Sequence, residues 1–242
     1  ISYFKKIIID LGKFGSNIRI KEIELIPEII KQKKLSYFND NLKYKLEHFS
    51  IQAKLKESYL KFKDNVAIEI GAEHLTYSVL NNRKQLISNW IVDKNIEKES
   101  LVGVFIDDRT KVIISILGIL DSCCVFVPID IKLPVNRIKT MIDSIGLDYF
   151  ITCDQELLKL NEIKLELNKE NILILDDDLE NSEGYDNYDR SLGTDKIYIY
   201  FTSGSTGVPK PIGGKNQSLL QFIDGEINEF NIDRSTRISQ FT

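Results

Sequence analysis

The residues best suited to chemistry lie between positions 202 and 210. Thr202, Ser203, Gly204, Ser205, Thr206 and Gly207 form an unbroken run of hydroxyl-bearing residues and glycines, closed by Val208, Pro209 and Lys210. Glycine reaches positive φ without steric penalty and lets backbone N–H groups approach a ligand with no Cβ in the way. Successive exposed N–H groups make a concave nest that binds anions. The hydroxyls add donors, and Lys210 adds a mobile positive charge suited to phosphate oxygens. Pro209 stiffens the exit, so the lysine arrives from a defined direction. The chemistry this supports is phosphate binding. Its spacing is not that of the G-x-x-x-x-G-K-[ST] loop, because the glycine after Gly204 is Gly207 and Lys210 follows Pro209. On composition alone a Gly/Ser surface turn remains the alternative, since such loops are common.

A loop of this kind needs a rigid support. "KIYIY" (Lys196–Tyr200), directly before it, is a run of β-formers. Upstream, "LVGVFI" (Leu101–Ile106) is continuously apolar, as a strand covered on both faces would be. "VFVPI" (Val125–Ile129), "DYFITC" (Asp148–Cys153) and "NILIL" (Asn171–Leu175) read as further strands, the last of the buried type. Between them fall a helix through "KVIISILGIL" (Lys111–Leu120) and one carrying Ile138, Met141, Ile142 and Ile145. This alternation predicts crossover units, hence an α/β fold with a largely parallel, doubly wound sheet and flanking helices. In such sheets ligands sit beyond the carboxyl ends of the strands, where the 202–210 loop begins.

Ahead of this body, Leu55, Tyr59 and Phe62 mark an amphipathic helix, and "VAIEI" (Val66–Ile70) with "LTY" (Leu75–Tyr77) marks a β-hairpin. Ser78 is placed to cap the next helix, with Val79, Leu86 and Trp90 on its apolar face. A helix is also expected over Gln217–Phe230. The stretch "DDDLENSEGYDNYDRSLGTD" (residues 176–195) reads as a solvated loop, because nothing in it makes the carboxylates converge on an ion. The first 45 or so residues are lysine-rich with short apolar clusters, a helix start at Pro27 and a turn at Phe38–Asn41; they read as a linker.

Composition narrows the function classes. The chain has 242 residues, 43% of them hydrophobic, enough to bury a sizeable core. Net charge is −4, which argues against nucleic acid as a bulk partner. The longest apolar run, Val112–Leu120, falls well short of the roughly 18 residues of a membrane span. The first residue is not Met, and the early apolar residues lie among lysines rather than in a secretory core, as if cut from a longer polypeptide. Cys123, Cys124 and Cys153 form no CxxC pair, and His48 and His74 are far apart. Buried free thiols in a reducing cytoplasm are expected, and no residue is assigned as a metal ligand.

The residues carry a family resemblance. "YFTSGSTGVPK" (Tyr200–Lys210) resembles the phosphate-loop signature of the adenylate-forming, AMP-binding superfamily, T-S-G-[ST]-T-G-x-P-K after a tyrosine or similar residue. "LTYSVLNNR" (Leu75–Arg83) resembles its L-T-Y-x-E-L-N motif, with Val79 for glutamate. "LDSCCVFVPID" (Leu120–Asp130) resembles L-K-A-G-G-A-Y-V-P-[LI]-D, with Cys123 and Cys124 near the glycines and Phe126 for tyrosine. "LPVNRIKTMIDSIGLDYFIT" (Leu133–Thr152) is similar to the following P-x-x-R-[IL] helix and strand. "VPID" and "LTY…LNNR" point to the branch in nonribosomal peptide synthetases, and "IELIPEIIKQKKLSYFND" (Ile23–Asp40) resembles the end of a condensation domain and its linker. Departures are local. Pro211 stands where glycine follows the lysine, which puts the course of the next strand in doubt, and Gly225 interrupts a helix.

The resemblance implies residues 1–47 as linker and condensation-domain tail and 48–242 as the N-terminal part of an adenylation domain. It implies ATP with Mg2+, a carboxylic or amino acid, an acyl-adenylate, and transfer to the phosphopantetheine thiol of a carrier protein. Thr202, Ser203, Gly204, Ser205, Thr206, Gly207 and Lys210 would hold phosphate. The family's magnesium-binding glutamate, ribose-binding aspartate and catalytic lysine would fall after Thr242, in the remaining half of the domain. The 242 residues alone are therefore expected not to catalyse adenylation. A standalone acyl- or aryl-CoA ligase, or a catalytically inert scaffold piece, would share the same loop.

Overall fold

The structure of the protein is a computed structural model, in which residues 9, 31, 32, 50–163, 168–175, 190–203 and 208–239 are described. The chain divides into two units, Ile1–Glu47 and His48–Thr242. In the first, Ile9, Lys31 and Gln32 are helical, and the helix start at Pro27 and the turn at Phe38–Asn41 lie outside the described residues. All the elements named below belong to the second unit.

Helix α1 (Ile51–Lys61) starts at Ser50, whose Oγ accepts the Ala53 N–H at 3.2 Å. Strands β1 (Val66–Ile70) and β2 (Glu73–Thr76) form the antiparallel hairpin, turning at Gly71 with φ 59°. Helix α2 (Tyr77–Asp93) then begins earlier than Ser78 suggested. Thr76 already has the extended backbone an N-cap needs and accepts the Val79 N–H through Oγ1 at 3.2 Å, while the Ser78 N–H donates to the Lys63 carbonyl. The buried face of α2 is Leu80, Lys84, Ile87, Ser88 and Ile91; the expected Val79, Leu86 and Trp90 are only half-buried. The rotation follows from the neighbouring helix. A Cβ on Gly118 would fall 2.6 Å from Ile87 Cβ and 2.7 Å from the Lys84 carbonyl oxygen, so the two backbones meet along that row.

The βα alternation runs through β3 (Leu101–Phe105), α3 (Arg109–Asp121), β4 (Val125–Pro128), α4 (Val135–Ile145), β5 (Tyr149–Thr152), α5 (Asp154–Ile163) and β6 (Ile172–Ile174). It ends in a hairpin, β7 (Lys196–Ser203) and β8 (Pro209–Lys215), and helix α6 (Asn216–Glu229). One six-stranded sheet has the order β6-β5-β3-β4-β7-β8. Every neighbouring pair is parallel except β7 and β8. The strands expected from "LVGVFI", "VFVPI", "DYFITC" and "KIYIY" thus share one sheet and one direction. β6 differs from expectation: as the outermost strand its residues are only half-buried.

Right-handed crossovers decide which face each helix covers. The chain steps one way from β3 to β4 through α3, then the other way to β5 and β6 through α4 and α5. α3 therefore lies on one face, and α4 and α5 lie on the other. The core on the second face joins Phe105, Val127 and Phe150 to Ile138, Ile142, Leu160 and Ile163. Each such fully buried side chain contributes about 1.5–3 kcal/mol over leaving it in water. All three cysteines are buried free thiols, as expected. Among the described residues no helix is long and apolar enough to cross a membrane.

Candidate phosphate-binding site

Thr202 and Ser203 end β7, and Pro209 and Lys210 begin β8 beside them, at the carboxyl end of β7. Thr202 pairs with Lys210 and Ser203 with Pro209. Directly opposed residues point to one side of a sheet with their Cβ atoms about 4.5–5.5 Å apart. The hydroxyl of Thr202 and the stem of Lys210 therefore leave the sheet together, and both residues are exposed. Pro209 is buried, which holds the point where the chain turns back. Gly204, Ser205, Thr206 and Gly207 lie outside the described residues. Thr202, Ser203 and Lys210 are thus brought together at one end of the sheet.

The hairpin is seated through its two faces. Ile199 and Phe201 pack against the core shared with α4 and α5. By alternation, Tyr198, Tyr200 and Thr202 face the other way, opposite Gly214, Ile212 and Lys210. On that face Phe126 of β4 lies 5.9 Å from Tyr198 and 6.2 Å from Tyr200, ring centre to ring centre, and the two tyrosines lie 5.2 Å apart. The Phe126–Tyr200 and Tyr198–Tyr200 pairs are edge-to-face, an arrangement that adds about 0.5–1.5 kcal/mol each beyond area burial, and the Phe126–Tyr198 pair is tilted. Burial, and then neighbouring Tyr198, raise the Tyr200 phenol above its ordinary value. It stays protonated at neutral pH.

Pro211 does not redirect the strand. It sits within β8 opposite Phe201, and the absent N–H is tolerated because β8 is the outer strand. The aromatic trio beneath the loop was not read from the sequence. "KIYIY" contains its tyrosines, but nothing local says which of them meets Phe126.

A second concavity, about 450 Å³, opens beyond the carboxyl ends of β3, β5 and β6, lined by Asp107, Asp108, Lys111, Cys153, Asp154 and Glu156 among others. It lies where α3 and α5 leave adjacent strands for opposite faces, the place where such sheets bind ligands. Three of its charged groups are already engaged. Asp108 caps α3 by accepting the Lys111 N–H at 2.8 Å, the Lys111 ammonium donates to the Leu175 carbonyl at 3.4 Å, and Asp107 pairs with Lys132 at 2.9 Å. Burial is the main cause that raises the Cys153 thiol. Carboxylates dominate this cleft, so its charge opposes phosphate. Among the described residues no group of three or more His, Cys, Asp or Glu could hold a metal ion.

The family model of the AMP-binding enzymes matches residues 55–240. Gramicidin S synthase 2 of Brevibacillus brevis is 29% identical over 228 residues, covering 93% of this chain and 5% of that protein. Bacitracin synthase 3 of Bacillus licheniformis is 25% identical over 240 residues, covering 99% and 4%. The chain thus spans a small part of the curated relatives it matches. Among solved structures, the nonribosomal peptide synthetase FmoA3 in its AMPPNP-bound form superposes with a TM-score of 0.68 at 17% identity, over 95% of this chain and 24% of that one. The N-terminal subdomain of Klebsiella oxytoca NpsA, in complex with 3-hydroxybenzoyl-AMSN, gives 0.57 at 20% identity, over 71% and 42%. At these identities the superpositions establish the fold. With the family model spanning most of it, the chain belongs to the AMP-binding enzymes, a family of adenylate-forming ligases, and is homologous to nonribosomal peptide synthetases.

Proposed function

We propose that this chain supplies the phosphate-holding part of an adenylation domain in a nonribosomal peptide synthetase. The domain activates an amino acid or related carboxylic acid with ATP. A carboxylate oxygen bonds to the α-phosphorus as the bridging bond to the β-phosphate breaks, and pyrophosphate leaves with the electron pair. The phosphopantetheine thiol of a carrier protein then attacks the acyl carbonyl and AMP departs. Residues 1–47 are read as the linker from a preceding condensation domain and 48–242 as the first part of the adenylation domain.

The supporting observation is the Thr202–Lys210 pair, which flanks a Gly/Ser/Thr loop at the carboxyl end of a parallel strand. Within the proposal, Lys210, the hydroxyls of Thr202, Ser203, Ser205 and Thr206, and the N–H groups around Gly204 and Gly207 grip the β- and γ-phosphates. That grip neutralises charge building on the leaving pyrophosphate and aims the α-phosphorus at the acid. Mg2+ has no fitting donor set among the described residues, so no step is assigned to it. The test is pyrophosphate exchange in the intact parent enzyme carrying Lys210→Ala. Exchange is expected to fall at least tenfold with the melting temperature nearly unchanged. A wild-type rate would remove Lys210 from the phosphate role.

A further inference from the structure

Tyr198 is the one residue of β7 that pairs on both sides, with Phe126 of β4 and with Gly214 of β8. The register shifts between Lys196 and Tyr198, where β7 carries an extra residue, and from Tyr198 to Ser203 it is then unbroken. The base of the hairpin is held separately: the Asn216 side chain accepts the Ile51 N–H at 2.7 Å and donates to Gln52 Oε1 at 2.7 Å. Because the bulge lies between that anchor and the Tyr198 rung, the base alone does not fix which residue of β8 faces Thr202. The register seen here requires glycine at 214, which is buried and where an added β-carbon would fall inside the Tyr198 ring. The ring occupies the space that any other residue at 214 would need, a glycine rescued by a cross-strand aromatic. A slip toward Lys215 would place a side chain against the ring, a slip toward Gly213 would leave the ring facing a glycine, and either one would carry Lys210 to the opposite face of the sheet. Gly213, next door, has room: its nearest neighbour to an added Cβ is the Tyr198 carbonyl oxygen at 3.7 Å.

We infer that Tyr198 and Gly214 form a register lock that sets Lys210 opposite Thr202, making both positioning residues for the phosphate loop. This rests on the phosphate reading of that loop. The lock acts through backbone register and touches no substrate.

The test measures ATP and acid KM by pyrophosphate exchange in the intact parent enzyme carrying Gly214→Ala, Gly213→Ala, Lys210→Ala, or Gly214→Ala with Tyr198→Ala. Gly214→Ala is expected to raise the KM for ATP at least fivefold and leave the acid KM unchanged. A merely structural loss would lower the active fraction without moving either KM. Gly213→Ala is expected to behave as wild type. The double variant, with the ring removed, is expected to regain most of the ATP KM, and does so even if Gly214→Ala alone fails to fold. An unchanged ATP KM in Gly214→Ala, or a double variant that folds and keeps the raised KM, overturns the lock. Lys210→Ala separates the two claims: an ATP KM unmoved there defeats the phosphate reading itself, whereas one raised there but not in Gly214→Ala defeats only the lock.

Discussion

Lys84 of α2 and Asp121 of α3 form an ion pair with both side chains withdrawn from water. The Lys84 ammonium also lies 4.9 Å from the centre of the Tyr59 ring, so one charge ties α1, α2 and α3 together. Asp121 occupies the position that the L-K-A-G-G pattern gives to lysine. A buried charge stripped of its partner costs about 3–5 kcal/mol, whereas replacing both partners by apolar residues of similar size is often neutral. Asp121→Ala is therefore expected to lower the urea midpoint strongly, and Lys84→Met with Asp121→Leu to recover most of the loss. Equal losses in the single and double variants would show that the pair does not act as a unit.

That pair also marks where the sequence stops being readable. The strands were legible because both faces of a parallel sheet are covered, which turns "LVGVFI" and "VFVPI" into apolar runs. The α2 face was not. Its central residue is a lysine whose partner lies 37 positions on, and periodicity counts any lysine as solvent-facing. Residue type alone made Thr202, Ser203 and Lys210 candidates for phosphate binding, and the hairpin pairing sets Thr202 beside Lys210. The lock beneath them was not legible, because Tyr198 meets Gly214 only through a one-residue bulge that no local pattern announces.

Cys123 has a left-handed backbone, φ 56°, just past the end of α3. The Cys123 N–H donates to the Leu120 carbonyl and the Cys124 N–H to that of Ile119, closing the helix as a glycine normally does. A side chain in this conformation costs about 1–2 kcal/mol. At position 123, glycine would relieve that strain and lose the buried thiol; at 124 it would only lose the thiol. Cys123→Gly is expected to be close to neutral and Cys124→Gly to cost about 1–2 kcal/mol more, by urea titration. The reverse order would deny the strain.

Gly225 interrupts α6 with nothing within 4 Å of where its Cβ would be. Alanine there avoids the glycine penalty of about 1 kcal/mol and meets no clash. Gly225→Ala is expected to raise the melting temperature by about 2–4 °C in a unit of this size. Gly118→Ala, driven into Ile87, is expected to lower it. A melting temperature unchanged or lowered in Gly225→Ala would mean that the glycine serves something other than the helix.

Cys124 carries the sharpest pH signature. Its side chain is fully buried, and burial first, then nearby Cys123, pushes the thiol from 9.0 up to about 12. Raised in the folded state, it contributes stability that is intact below pH 9 and is lost as pH rises toward 12. In that window the unfolded chain has released the proton and the folded one has kept it, so the slope of unfolding free energy against pH is negative. One such proton amounts to about 1.4 kcal/mol per pH unit. Urea titrations from pH 8 to 11 are expected to show falling stability, with a shallower fall in Cys124→Ala. At pH 8 the native thiol is also expected to resist a disulfide reagent that modifies the unfolded chain within minutes, because the thiolate is the nucleophile. Rapid native labelling at Cys124, or identical slopes with and without its thiol, would show that the group is not held protonated by burial.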